Sequence, residues 1–551
     1  MQGSGHSNCF YGVYLKLREP LLTFLIAVAL SAGASLGWAQ GTTPGTGTGS
    51  GGGGAGLHAG QALGSGDDAG SGPISLGATD QDLPELGSPA NAAVSLEDEY
   101  QAGLGWFREI GKTGTVLEDP EVSDYIQQIG HSLSSRAEEG QHQFYYFVVR
   151  DPVINAFAMP GGFIAINSGL ILATRNENQL AGVMAHETAH VTQRHLVRGL
   201  IDQSHAGLVA TAAMLAAILL GATAGRGDPG AMEGAILATQ GAAIQHQINY
   251  TRSNEFEADR VGIGIMANAG YDPLGMASFF QELDRNSPDP SRVKAVEFLI
   301  DHPLSAERVA EARNRAEQIG RIRREDSIGY RLTKERLRSL VSDPRVVRDY
   351  YANLVKNGAG LTMDERYGKD VAELQMRQPM AAIPDLQTLL REYPKVTQFY
   401  DALGQAYLLN GQLKESKEVL DKAINLFPRN VPITIRLSET LMHSGENKRA
   451  QLLLDDLFNF VEPTPDQTKL IAKAAKEGGD LADSYYYMSF YYVMNGDLKM
   501  SATQMQLALS LPGLDAIQRA RFSARLDEIK AAMPKDRKNT IADDDSGGPR
   551  H

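Results

Sequence analysis

The chain has 551 residues, 42% hydrophobic and 21% charged, which excludes a wholly disordered protein and, at roughly 150 residues per domain, points to three or four units. With 52 Lys and Arg against 66 Asp and Glu the net charge is −14, which argues against nucleic acid as a partner. The single cysteine, Cys9, rules out an intramolecular disulfide and any Cys-rich zinc module, so a metal must be held by His, Asp and Glu.

Taken in chain order, Lys16 and Arg18 precede an apolar, small-residue run from Leu21 to Leu36. Gly37-Trp38-Ala39 then offers small residues for cleavage before Gln40, the pattern of a signal peptide over 1–39 and of export to the periplasm. Residues 40–92 are Gly-rich and of low complexity, a flexible linker. Between 93 and 330 the pattern is α+β, mostly helical with a small sheet. Helical periodicity covers Leu96 to Ile110 and Pro120 to Arg136, and strand-like stretches cover Phe144 to Arg150 and Phe163 to Ile166. Ala206 to Gly225 is mostly apolar; with Ala231 to Gln245 it reads as a helical hairpin able to make peripheral membrane contact, and not as a span.

From 345 to 533 nearly everything reads as helix, with an internal repeat. Tyr400, Leu403, Gly404, Tyr407, Gly411, Ser416, Leu420, Ala423 and Pro428 fit the tetratricopeptide template. A second copy has Leu441, Gly445, Ala450, Leu454 and Leu457. A third has Tyr485, Tyr492, Gly496, Met505, Ala508 and Pro512, and a weaker one precedes with Leu386, Leu389 and Pro394. Copies in one phase predict an all-α solenoid. Tyr485, Tyr486, Tyr487, Tyr491 and Tyr492 read either as groove anchors or as packing between hairpins. The polar tail, 534–551, completes the chain as a disordered segment.

The sharpest motif is His186-Glu187-Thr188-Ala189-His190. Its helix is expected to start on Asn176, with Gln179 completing a capping box. Spacing of i and i+4 places His186 and His190 on one face, where two imidazoles can bind one zinc ion. Glu187, beside the first ligand, can act as general base toward a water polarised by the metal. Downstream, Glu255 and Asp259 also share a face; one carboxylate can ligate, and the other can accept a hydrogen bond from a ligating imidazole. Glu257 points elsewhere. His195, His205 and His246 match no ligand spacing and read as structural or exposed.

His186-Glu187-x-x-His190 followed by Glu255-x-x-x-Asp259 resembles the gluzincin-type zinc peptidases that include the prenyl-protein CAAX endopeptidases, peptidase family M48. Asn155-Ala156-Phe157-Ala158-Met159-Pro160-Gly161-Gly162 resembles the strand and turn leading to that family's active site. His302-Pro303 with Arg308 resembles its downstream His-Pro element. The layout, a signal peptide, this peptidase domain and a tetratricopeptide array, is similar to periplasmic members that serve β-barrel assembly in Gram-negative bacteria. The resemblance implies one zinc per chain held by His186, His190 and Glu255, with Glu187 as base and Asp259 orienting a ligand. It implies that Asn155, Ala156, Phe157 and Ala158 present a sheet edge to an extended substrate. His302 is either a removable fourth ligand that keeps the enzyme latent or a hydrogen-bond donor to the transition state. Arg308 either binds a carboxylate near the site or lies on the surface. The implied function is an exported zinc metalloendopeptidase that degrades misassembled outer-membrane proteins, its array recruiting clients or the β-barrel assembly machinery. The alternative is a latent scaffold that assists assembly without routine proteolysis.

Overall fold

The computed structural model describes residues 94–137, 143–201, 251–286, 298, 302–358 and 360–533. The expected signal peptide and linker, the hairpin from Ala206 to Gln245 with His205, His246, and the tail from Pro534 lie outside the described residues. Among the described residues no helix is long and apolar enough to cross a membrane.

Helix α1 (Leu96–Lys112) starts on Ser95, whose hydroxyl accepts the Asp98 N–H, and carries Glu97, Asp98 and Glu99 where the positive helix end favours them. Helix α2 (Pro120–Ser134) starts on Asp119 with proline in its first turn, where a missing N–H costs nothing. Three strands follow: β1 (Tyr145–Val149), β2 (Ala156–Ala158) and β3 (Phe163–Asn167), in the order β1-β3-β2. β1 and β3 run parallel with Tyr145 opposite Phe163, and β2 is antiparallel with Ala156 opposite Ile166. β3 is buried on both faces, so its sequence is a continuous apolar run rather than an alternation. The turn from β2 into β3 passes through Gly161 at φ 70°. A Cβ there would lie 2.3 Å from Tyr100 Cα, so only glycine lets α1 close over the turn.

Helices α3 (Ser168–Ala173), α4 (Glu177–Thr192), α5 (251–268), α6 (Leu274–Asn286), α7 (Ala306–Ile319) and α8 (Ile328–Val341) complete the first body. Every residue of α4 except His190 is buried. Its polar side chains, Glu177, Asn178, Gln179, His186 and Glu187, are buried along with its apolar ones, so it presents almost no solvent face and forms the central element. It packs on α2, α6 and β2, with Ile126, Ile164, Val183, Met184, Phe279 and Phe280 in the same core.

Beyond α9 (Pro344–Lys356) the helices pair. First helices are α10 (Met363–Gln375), α12 (Thr397–Leu409), α14 (Val431–His443) and α16 (Pro465–Glu477). Their partners are α11 (Pro379–Glu392), α13 (Leu413–Leu426), α15 (Asn447–Phe458) and α17 (Leu481–Met494). Successive starts, 363, 397, 431 and 465, and again 379, 413, 447 and 481, differ by 34 residues, the tetratricopeptide period. Then come α18 (Leu498–Ser510) and α19 (Ala516–Ala532). Gly404 lets the α12–α13 hairpin close: a Cβ there would meet Leu420 Cγ at 2.7 Å, and Ser416 Oγ donates to the Gly404 carbonyl at 2.9 Å.

The third sequence copy departs from the expected single phase. Tyr485 lies 85 residues after Tyr400, two and a half periods, so this copy falls on α17 and α18. There Ser501 Oγ donates to the Ser489 carbonyl at 2.9 Å, repeating the Ser416 bond. Helix α17 therefore belongs to two overlapping hairpins, with α16 behind it and α18 ahead. Its tyrosines are half-buried. Tyr486 packs against Phe490 and Phe522 and Tyr487 donates to Asp455, which is packing between helices.

The array curls back onto the first body. Helix α8 packs against α2 and α3 on one side and α10 on the other, and α2 reaches α14. At that joint Arg336 is 3% exposed. It donates to Asp119 at 2.7 and 2.8 Å and to Tyr367 Oη at 2.9 Å, and it lies 3.3 Å from Glu121. Asp401 of α12 and Arg436 of α14 complete the buried cluster. Farther along, Arg108 of α1 donates to the carbonyls of Val493 and Met494, both at 2.9 Å, at the end of α17.

Candidate metal centre

Asn176 caps α4 as expected, its Oδ1 accepting the Gln179 N–H at 3.0 Å, a contact type that stabilises a helix by about 1 kcal/mol. The return half of the capping box differs: Gln179 Oε1 accepts from the Arg175 N–H at 2.7 Å, one residue farther out than Asn176. Helix α5 crosses α4 closely because Gly262 has no side chain; a Cβ would sit 3.1 Å from the His186 nitrogen. That crossing sets Glu255 and Asp259 against His186.

His186, His190, Glu255 and His302 converge, one ligand atom from each lying within 4.8 Å of all the others. His186 Nε2 is 3.1 Å from His190 Nε2, 3.3 Å from His302 Nδ1 and 3.4 Å from Glu255 Oε2. Glu255 Oε1 is 3.5 Å from His190 Nε2 and 3.1 Å from His302 Nδ1. A tetrahedral ion with bonds of about 2.0–2.1 Å separates its ligand atoms by about 3.3 Å, so these four groups fit a small ion of that geometry.

The surroundings are fixed by charge. His186 Nδ1 meets Asp259 Oδ1 at 3.0 Å. Arg308 binds Asp259 through two bonds of 2.8 Å, reaches Glu255 Oε2 at 2.8 Å, and donates to the Pro303 carbonyl at 3.0 Å. It is buried, so of the two expectations for Arg308 the carboxylate partner is the one found. The same guanidinium thus ties two carboxylates to the loop that carries His302. Burial alone would push the His186 imidazole down, but Asp259 and Glu255 carry it up to about 10. Burial likewise opposes ionisation of Glu255 and Asp259; hydrogen bonds, led in both by His186, with His302 on Glu255 and Arg308 on Asp259, hold both below the usual carboxylate range. Desolvation raises Glu187, against the charges of His302 and His186. Desolvation, with the His186 charge, holds His190 well below an ordinary imidazole.

Glu187 is fully buried, and neither oxygen has a well-formed hydrogen bond. His302 Nε2 lies 3.4 Å from its Oε1, and the Ala158 backbone faces it from β2. Asn155 is buried at the entry to β2, its Oδ1 accepting the Ala156 N–H. Ala156, Phe157 and Ala158 form the outer strand, with no further strand on that edge among the described residues. The Phe298 N–H donates to the Ile154 carbonyl at 3.2 Å and its ring stacks on His302 at 4.7 Å, so the His302 turn is docked beside that edge.

Two further side chains, which the motif spacing does not bring to the site, stand behind His190. His195 is buried, its Nδ1 2.9 Å from His190 Nδ1. Glu257, set aside as pointing elsewhere, accepts from His195 Nε2 at 3.1 Å and is drawn down to about 2, first by that bond. Each is only a lone acid or histidine in the sequence; the signal lies in the break after α4, which i, i+4 counting does not see.

The model of peptidase family M48 matches residues 120–316. A β-barrel assembly-enhancing protease of Vibrio cholerae serotype O1 is 32% identical over 454 residues, covering 81% of this chain and 92% of the relative. The chain belongs to peptidase family M48. Another relative, the β-barrel assembly-enhancing protease of Escherichia coli K12, is 28% identical over 81% of this chain and 91% of its own length. The metalloprotease LoiP of the same strain is 27% identical but spans 42% of this chain, and 87% of itself. This M48 protein is a metalloendopeptidase with a tetratricopeptide array, and its His/Glu cluster lies inside the M48 match.

Proposed function

We propose that this chain is an exported zinc endopeptidase of outer-membrane protein quality control. The observation that carries the metal reading is the set of separations near 3.3 Å among four ligand atoms on a Cys-free buried site. His, His and Glu suit zinc, and His186, His190 and Glu255 would hold one ion per chain. Zinc there would supply Lewis-acid polarisation of the scissile carbonyl and of the attacking water. Glu187 takes the water's proton and returns it to the leaving amine, a task helped by its raised pKa. Asp259, clamped by Arg308, orients the His186 ring. An extended client strand adds to the free edge of Ala156–Ala158, beside Glu187, which selects unfolded or misassembled chains.

His302 is the fourth group, and its Nδ1 stands where a substrate carbonyl would need to enter. In this reading it holds the enzyme latent until its turn lifts. The names of the relatives support a role in β-barrel assembly; in this reading misassembled outer-membrane proteins are the clients and the array docks on the assembly machinery. A latent scaffold that assists assembly without routine proteolysis is the second reading, and the four-group closure favours it while His302 stays in place. The chain then divides into a signal peptide at 1–39, linker at 40–92, peptidase domain at 93–330, repeats at 345–533 and tail at 534–551, working in the periplasm.

The test is zinc content and casein cleavage on purified wild type, Glu187→Gln and His302→Ala. One zinc per chain, no cleavage by Glu187→Gln and faster cleavage by His302→Ala are expected. Absence of zinc overturns the metal reading. Slower cleavage by His302→Ala overturns the latch and makes His302 a catalytic donor.

A further inference from the structure

His195 lies five residues beyond His190, a step that a continuous helix would put on another face. The helix does not continue. Helix α4 ends at Thr192 and Arg194 takes φ 52°, a left-handed conformation that non-glycine residues seldom adopt. The Arg194 guanidinium is held by Glu99 and by the Val94 carbonyl at 2.6 Å, so the turn is fixed from outside α4. The turn folds the His195 ring, 5% exposed, back onto His190, with ring centroids 4.8 Å apart. His195 Nδ1 is 2.9 Å from His190 Nδ1, and its Nε2 is 3.1 Å from Glu257, which also takes Arg198 Nη1 at 3.0 Å.

The protons then have one arrangement. This step rests on the reading of His190 as a metal ligand through Nε2, the atom that faces His186 and Glu255. A neutral imidazole with Nε2 committed to a metal carries its hydrogen on Nδ1 and donates it. His195 Nδ1 must therefore accept, which leaves the His195 hydrogen on Nε2, where Glu257 accepts it. His186 has the simpler version of the same support, Asp259 clamped by Arg308.

We propose that His195, backed by Glu257 and Arg198, is a positioning residue that fixes the tautomer and ring angle of His190 for metal binding. The two imidazole ligands are then held by unlike partners: an anion on His186 and a neutral imidazole, with its carboxylate one residue removed, on His190. His195 makes no contact with substrate; it acts through His190.

The experiment is a zinc competition titration against a chromogenic chelator, with the visible spectrum of the Co2+-substituted protein as a second readout, in a Glu187→Gln background. His195→Leu keeps bulk and removes the acceptor, and zinc affinity is expected to fall about 10- to 100-fold with an altered Co2+ band. His195→Asn places an oxygen near the former Nδ1 and should recover most of that loss and the wild-type band. Equal affinity in wild type and His195→Leu overturns the positioning role while leaving zinc binding intact. So does His195→Asn that is folded by circular dichroism yet as weak as the Leu variant. If His195→Leu fails to fold, Glu257→Ala carries the test: it keeps both rings and frees the His195 tautomer, and unchanged affinity refutes the proposal. A parent protein that binds no zinc removes the ligand reading itself, and this inference with it.

Discussion

Replacing Arg336 by Met tests whether the joint between peptidase body and repeats is held by charge. Arg336 faces Asp119 and Glu121 from α2 and Asp401 from α12, with Tyr367 of α10 on its remaining edge. Arg436, the second guanidinium of the cluster, is shared with Glu439, 2.8 Å away. Burial raises the Glu121 carboxyl well above the usual range, with Arg336 opposing and Asp401 and Asp119 adding. Methionine keeps the bulk and leaves three buried acids facing Arg436 alone. Breaking such a buried pair costs about 3–5 kcal/mol, a shift of roughly 10²- to 10⁴-fold in the unfolding constant. A carboxyl protonated in the folded state and ionised in the unfolded chain binds more protons folded, so stability falls as pH rises from the unfolded value toward the folded one. Removing Arg336 raises Glu121 further, and the variant should lose more at pH 8 than at pH 5. Urea unfolding by far-UV circular dichroism, in a Glu187→Gln background, gives the number. Adding Glu121→Gln to the variant should restore part of the loss at pH 8, where holding a proton on Glu121 costs most, and little at pH 5. A loss under about 1 kcal/mol, or no recovery in the double variant, would show that the charges at this joint are incidental to it.

Asp370 is fully buried, with Lys369 Nζ 3.3 Å away, and burial pushes it up to about 8. Its contribution should fall between pH 4 and 8, and Asp370→Asn should flatten that slope and gain about 1–3 kcal/mol at pH 8, read from urea midpoints. Gly161→Ala forces both a left-handed alanine and a Cβ into the Tyr100 backbone. It should cost at least about 2 kcal/mol in the same assay and lower casein cleavage, because the edge strand hangs on that turn.

What was legible in the sequence followed local rules. Helix starts at Leu96 and Pro120 agree with Ser95 and Asp119 as caps. The 34-residue period was visible because small residues recur wherever two helices must approach, as at Gly404 and Ser416. The i, i+4 rule brings His186 and His190 to adjoining positions, and Glu255 and Asp259 to adjoining roles, because each pair sits on an unbroken helix. His195 is structural and Glu257 lies off the ligand face, as the spacing reads; their meeting behind His190 is not visible there, because a single left-handed residue, Arg194, carries the chain off that helical count. The phase shift at α17 escaped for a related reason. A template scores each copy by itself, and a helix whose two sides both satisfy the template looks like one copy out of step. Nothing in the sequence announces Arg108 reaching α17, since such contacts depend on the curvature accumulated over several hairpins.

A solenoid ordinarily has a free end, and its repeats can be added or deleted during evolution with only the neighbours affected. Here Arg108 joins the beginning of the described chain to carbonyls 385 residues later, at the end of α17. The circuit from α1 through α8 and the repeats back to α1 is closed, like a clasped bracelet whose length is set by its clasp. Inserting a repeat between α10 and α16 would move the Val493 carbonyl away from Arg108 and open it. Lineages are thus expected to conserve repeat number inside the circuit, while length beyond α18 is free to vary.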